Sequence, residues 1–127
     1  TAEDVAAVQS LLASFGTTVE LEESQLDAAS AIGGSSPAYV YMFIEALADA
    51  GVAEGLKRPQ AYQLAAQGVL GAAKLVLESG KHPGQLKDEV CSPSGSTIRG
   101  LEVLEKGAFR GTVIDALRTT IEKARAL

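Results

Sequence analysis

Apolar positions recur at helical spacing from the first residues of the chain. Val5, Val8, Leu11 and Leu12 follow Thr1-Ala2-Glu3-Asp4, which reads as a helix N-cap with early acids. Gly16 ends that run. Thr17-Thr18-Val19-Glu20-Leu21-Glu22 then alternates and is β-branched, which predicts a strand, the one convincing strand in the sequence. A single strand cannot make a sheet, so its backbone groups need partners from elsewhere. Residues 1–22 therefore read as the last helix and strand of an α/β domain whose earlier part is absent, the alternative being a strand paired with its copy in a homodimer.

From Glu23 onward the pattern is helical throughout. A short helix over Ser24–Ala31 meets Gly33-Gly34, read as a flexible breaker. Ser35-Ser36-Pro37 starts a long helix, hydroxyls as caps and proline in the first turn, running to near Gly55. Lys57-Arg58-Pro59 starts the next, through Glu78, with Gly80 as its stop. A shorter helix is expected over Gln85–Cys91, then Thr97–Lys106 stopped by Gly107, and Ala108–Leu127.

Two of these helices bear on architecture. The one from Tyr39 is apolar nearly all round, with Tyr39, Met42, Phe43 and Leu47 on one side and Val40, Ile44 and Val52 on others. The one from Gln60 carries small residues at Ala61, Ala65, Gly68 and Ala72, a stripe that lets another helix approach closely. A helix apolar on every side belongs inside something large. One domain of 127 residues can scarcely bury two of them, so an oligomer with a core-like interface is expected over a well-filled monomeric bundle.

Composition narrows the function classes. Net charge is −5 and acids and bases are interspersed, unlike a nucleic-acid footprint or an anionic-membrane binder. The apolar runs at residues 38–53 and 61–77 are short for a span and carry Glu45, Asp49 and Lys74. The lone Cys91 fits a reducing compartment, so a cytoplasmic protein without membrane or nucleic-acid partners is expected. The chain begins at Thr1 without methionine, as a processed or trimmed piece would.

Candidate chemistry is sparse. His82, the only histidine, sits before a proline in Gly80-Lys81-His82-Pro83-Gly84 and reads as a loop or capping residue rather than a general base. No second histidine or cysteine offers a metal site, and Cys91 has no histidine to activate it. Glu45 and Asp49 share a helix face, where pairing with a neighbour's basic groups is favoured over acid–base catalysis. Neither a Gly-x-Gly-x-x-Gly after a strand nor a Walker loop is present.

That leaves EVCSPSGSTIRGLEVLEKG, where Ser92-Pro93-Ser94-Gly95-Ser96-Thr97 is almost wholly small and hydroxylic. Such a loop feeding a helix N-terminus offers free N–H groups to an anion, with Ser92, Ser96 and Thr97 as O–H donors. Having no side-chain charge, it suits a small carboxylate better than a polyphosphate. Spacing alone favours the plainer reading, a run of ordinary helix caps.

The segments SSPAYVYMFIEALADAGV and LAAQGVLGAAKLVLESGKHPGQLKDEVCSPSGSTIRGLEVLEKGAFR resemble the C-terminal half of the pyrroline-5-carboxylate reductase family. The resemblance covers essentially all 127 residues. It implies a mainly all-α interlocking helical bundle with one short N-terminal strand left from a truncated Rossmann domain. Residues 1–22 would end the dinucleotide-binding domain, and residues 23–127 would form the helical dimerisation and substrate-binding domain. The implied activity is reduction of L-1-pyrroline-5-carboxylate to L-proline with NADPH or NADH, with a homodimer as partner and larger assembly left open. By the same correspondence Ser92, Gly95, Ser96 and Thr97 bind the substrate carboxylate, the hydroxyls of Ser92 and Thr97 joined by backbone N–H of Gly95, Ser96 and Thr97. Thr97 would also lie near the ring nitrogen as the catalytic residue, mostly by positioning. The cofactor would be held elsewhere, leaving these 127 residues inactive alone with no cofactor bound; a stand-alone helical dimerisation module is the alternative. The sequence departs from the family pattern at Ser94, where a glycine is usual, at Ser96, where a threonine is usual, and at Gly33, where a hydroxyl is usual. A positive φ at Ser94 would strain the loop.

Overall fold

A computed structural model describes residues Thr1–Ala126. Helix α1 (Ala2–Leu12) begins as its sequence demands. Asp4 N–H donates to Thr1 Oγ1 at 3.2 Å, while Asp4 Oδ2 accepts from the Thr1 hydroxyl at 2.7 Å and its ammonium at 2.9 Å. Residues 17–21 then run without regular structure, so the expected strand is not formed. A strand is stable only when a neighbour takes its N–H and C=O groups, and no described segment does so.

A single 3₁₀ turn (Glu23–Gln25), with Glu22 N–H donating to Gln25 Oε1 at 2.9 Å, leads into α2 (Leu26–Ser30). Gly33-Gly34 does not break the chain. It lies inside a π-turn, Ala31–Ser35, that carries α2 directly into α3 (Ser36–Ala53). Pro37 has no N–H for the Gly33 carbonyl four residues back, so the ordinary ladder lapses there. The wider π register bridges that gap. Ser35 and Ser36 do not cap either: Ser36 Oγ donates backward to Ile32 O at 2.6 Å.

Helix α3 ends in a Schellman motif, with Leu56 N–H to Gly51 O at 2.9 Å, Gly55 N–H to Val52 O at 3.0 Å, and Gly55 at φ 99°. Gly51 matters by contact rather than conformation: a Cβ there would stand 3.1 Å from Leu56 Cδ1, which would have to give way by a few tenths of an ångström. The chain turns into α4 (Arg58–Ser79), where Arg58 pairs with Asp49 and lies 5.7 Å from the Tyr62 ring centroid. Asp49 thus meets a base of the neighbouring helix. Arg58 is held above its ordinary value, first by that hydrogen bond to Asp49. Gly80, at φ 66°, closes α4.

Then follow α5 (Pro83–Val90), α6 (Ser96–Lys106) and α7 (Phe109–Arg125). Helix α7 returns along the front of the chain. Its Phe109 ring meets Phe43 of α3 at 6.2 Å, Tyr39 OH bonds Thr120, and Arg125 Nε donates to Asp27 Oδ2 at 3.2 Å. The expectation that α7 reaches Leu127 lies outside the described residues. Between α6 and α7 the left-handed residue is Ala108 at φ 53°, one position past Gly107. Ala108→Gly is expected to stabilise the fold by about 0.5–1 kcal/mol, read as a raised urea midpoint at unchanged m-value.

The interior of one chain is small. Its buried apolar residues are Ala31, Ala48, Ala61 and Ala65, so α3 and α4 approach through alanine as the small-residue stripe implies. The same stripe, from Ala61 through Gly68 to Ala72, borders an open groove of about 670 Å³ walled by Phe43, Leu47, Leu64, Val69 and Val76. Leu77 is 84 % exposed and Met42 69 %. Among the described residues no helix is long and apolar enough to cross a membrane.

Candidate functional site

The hydroxyl-rich stretch is the connection between α5 and α6. His82 opens α5 as its N-cap, Nδ1 accepting the Gly84 N–H at 3.0 Å, so the only histidine is a capping group as its sequence context suggests. Cys91 follows the last turn of α5 in extended conformation, and its N–H donates to Asp88 O at 3.0 Å. His82 and half-buried Cys91 cap opposite ends of α5, about 13–14 Å apart at a helical rise of about 1.5 Å per residue, so no thiol–imidazole pair forms.

Ser92-Pro93-Ser94-Gly95 makes a tight turn closed by Gly95 N–H to Ser92 O at 3.0 Å. Proline at the second position and a positive φ of 60° at the third, Ser94, are the marks of a type II turn. Glycine is the residue that conformation favours, and serine stands there instead. Ser94 does take the positive φ that would strain the loop. Gly95 is glycine for a different reason: its φ is −70°, but a Cβ would fall 2.3 Å from Ser92 Oγ and 3.2 Å from Ser92 O. Ser92 folds its hydroxyl over the Gly95 Cα, a close approach only glycine permits. Ser94→Gly is expected to stabilise the fold by about 0.5–1 kcal/mol without moving Ser92, seen as a higher thermal midpoint.

Helix α6 begins at Ser96 with Gly95 as N-cap and no side chain satisfying its first turn. The N–H groups of Ser96, Thr97 and Ile98 have no intrahelical carbonyl to bond. Gly95 N–H, by contrast, is engaged by the turn and is not a free donor. Hydroxyls elsewhere turn back on their own helix: Ser14 onto Leu11 O at 2.7 Å, Thr119 onto Asp115 O at 2.9 Å and Thr120 onto Ala116 O at 3.0 Å. Those of Ser92, Ser96 and Thr97 have no protein partner among the described residues, and all three are exposed. The loop therefore presents three N–H groups, those of Ser96, Thr97 and Ile98, with uncommitted hydroxyls at the positive end of a helix, which can hold a carboxylate and offers no strong acid or base. The run of ordinary caps that spacing favoured is not what these hydroxyls form.

The turn bearing Gly33 packs against α2, α3 and α7, and α6, which the 92–97 loop feeds, also packs against α7. No three of the described His, Cys, Asp and Glu side chains come together as a metal site. Sequence reasoning missed the turn at 92–95, although Pro93 ahead of two small residues was a signal for it.

Residues 23–127 match the family model described as pyrroline-5-carboxylate reductase dimerisation. The chain is 50 % identical over 127 residues to the pyrroline-5-carboxylate reductase of Escherichia coli (strain K12), covering 100 % of this chain and 47 % of that protein. To pyrroline-5-carboxylate reductase 2 of Homo sapiens it is 48 % identical over 125 residues, covering 98 % of this chain and 39 % of that protein. The fold is similar to that of Plasmodium falciparum pyrroline carboxylate reductase, a crystal structure with NADP bound, at TM-score 0.88 and 41 % identity over 99 % of this chain and 51 % of that one. It is similar also to 1-pyrroline-5-carboxylate reductase of Streptococcus pyogenes, at TM-score 0.90 and 42 % identity over 100 % and 49 %. The chain spans about half the length of the bacterial relative it matches.

Proposed function

The chain belongs to the pyrroline-5-carboxylate reductase family through its dimerisation domain, and we propose that it serves as the helical, substrate-holding part of such a reductase. In this reading residues 23–127 build a homodimer, and residues 1–22 are the end of the preceding dinucleotide-binding domain, which would cover the exposed Val5, Val8 and Leu11 face of α1. The complete enzyme would reduce L-1-pyrroline-5-carboxylate to L-proline, in the cytoplasm.

The observation that carries the reading is the set of unpartnered donors at residues 92–97. One carboxylate oxygen would accept from Ser96 and Thr97 N–H and the other from the Ser92 hydroxyl, leaving the Thr97 hydroxyl for the ring nitrogen. Gly95 contributes by its missing side chain rather than as a donor. A threonine hydroxyl is too weak an acid to drive protonation, so Thr97 orients an iminium that solvent protonates. NADPH or NADH supplies the hydride in the complete enzyme. The described residues do not fit a dinucleotide, having neither a strand nor a glycine-rich phosphate loop after one, so the work of this chain is to bind and orient.

An amide NMR titration of the assembled protein with L-proline tests the site. Saturable shifts at residues 92–99 in the parent protein, lost in both Ser92→Ala and Thr97→Ala, are expected. Shifts that persist in both variants would remove these hydroxyls from the site.

A further inference from the structure

Helix α5 delivers the 92–97 loop, yet little apolar packing within one chain fixes its direction. Leu86 and Val90 face Ala72, Leu75 and Val76 of α4 across an open cavity of about 350 Å³. What ties α5 back is polar. Lys81, in the turn between α4 and α5, donates from Nζ to both carboxylate oxygens of Glu89, at 2.8 and 2.9 Å. Gln85 Nε2 adds a bond to Glu89 Oε1 at 3.0 Å. Glu89 stands in the last turn of α5, where the helix dipole disfavours an anion. The clasp offsets that, and the Lys81 ammonium, seconded by Gln85, holds the carboxyl below its ordinary range. The depressed group contributes above the ordinary carboxylate range and stops contributing as pH falls through its folded value, so the clasp is intact at neutral pH. With His82 capping the first turn, α5 is pinned at both ends, and Ser92 follows Glu89 by three residues.

We propose that Glu89, clasped by Lys81 and Gln85, is a positioning residue for the carboxylate-binding loop. It sets the direction in which α5 ends, and so where Ser92 Oγ and the N–H groups of Ser96 and Thr97 stand. The proposal rests on the reading of the loop given above. An exposed pair of this kind adds little to global stability, so changing it separates positioning from folding.

Steady-state kinetics of the complete reductase, with pyrroline-5-carboxylate varied, test it. Lys81→Glu and Glu89→Lys each set like charges face to face. Each is expected to raise KM about tenfold while kcat stays within about twofold and Tm is unchanged. The double reversal K81E/E89K restores the clasp and is expected to return KM to within about twofold of the parent value. Ser92→Ala and Thr97→Ala in the same series report on the loop itself. If they raise KM while the single reversals do not, positioning by Glu89 is overturned and the loop reading stands. If none of the four changes KM, the loop reading falls and the positioning role with it. Loss of Tm together with kcat that the double reversal fails to recover marks the clasp as merely structural and overturns the proposal.

Discussion

Replacing Leu64 by glutamate is expected to abolish assembly of this chain while adding no strain to the isolated helical hairpin. Leu64 is 61 % exposed within one chain and walls the groove between α3 and α4 with Phe43, Leu47, Val69 and Val76. An exposed substitution of that kind ordinarily changes stability by no more than about 0.5 kcal/mol. If the groove is the contact between two copies, each copy loses about 1.5–3 kcal/mol of leucine burial, and the two-fold axis counts it twice. Stranding a carboxylate in an apolar contact adds to this. The dissociation constant should therefore rise at least about a thousandfold, which corresponds to about 4 kcal/mol. Sedimentation equilibrium reads the change directly, with circular dichroism to follow the fate of the released chain. Because that chain buries only alanines, it should lose helicity as it dissociates. A Leu64→Glu protein that stays associated with the parent thermal midpoint would place the interface elsewhere.

The second large effect concerns Gly95. An alanine Cβ there would meet Ser92 Oγ at 2.3 Å and Ser92 O at 3.2 Å. The hydroxyl can rotate away, but it then leaves the place from which it would reach a carboxylate. The carbonyl can only yield by opening the turn, lengthening the 3.0 Å bond from Gly95 N–H. Gly95→Ala should raise the KM for pyrroline-5-carboxylate at least about tenfold in the complete enzyme, a loss of about 1.4 kcal/mol of binding. The same change made on a Ser92→Ala background should cost much less, because the clashing oxygen and the donor it displaces are already gone. Additive effects would mean that the two residues act separately and that crowding between them is not what demands glycine.

Most helices were legible because their boundaries are set by residues whose physics is local. Thr1 and Asp4 form a reciprocal cap that needs nothing beyond one turn, and Gly55 and Gly80 take the positive φ that marks a helix end. Where sequence reading failed, the deciding partner lay off the local pattern. Thr17–Glu22 has strand grammar, but a ladder is a property of two segments and only one is here. Gly33-Gly34 permits a break without compelling one, and the missing N–H of Pro37 was better met by a wider turn than by a stop. Ser35 and Ser36 carry the right group for a cap, yet the continuing helix leaves no free first turn to receive it. At Gly107-Ala108 the left-handed conformation falls on alanine, and nothing in the neighbouring residues announces that offset.

The candidate loop was visible as composition before it was visible as a site. Hydroxyls next to a helix start do not distinguish caps from donors, and only the family resemblance pointed to donors. Two details were beyond either source. That Gly95 N–H is consumed by the turn follows from Pro93 and Ser94 folding as they do. That a side chain at Gly95 would displace the Ser92 hydroxyl follows from the rotamer of Ser92, a through-space contact.

The alanine-only interior has a last consequence, for gene dosage. When folding needs a second copy, the folded fraction depends on how much chain is made, since dimer varies with the square of free chain while free chain predominates. Halving synthesis at such levels would cut folded protein about fourfold rather than twofold.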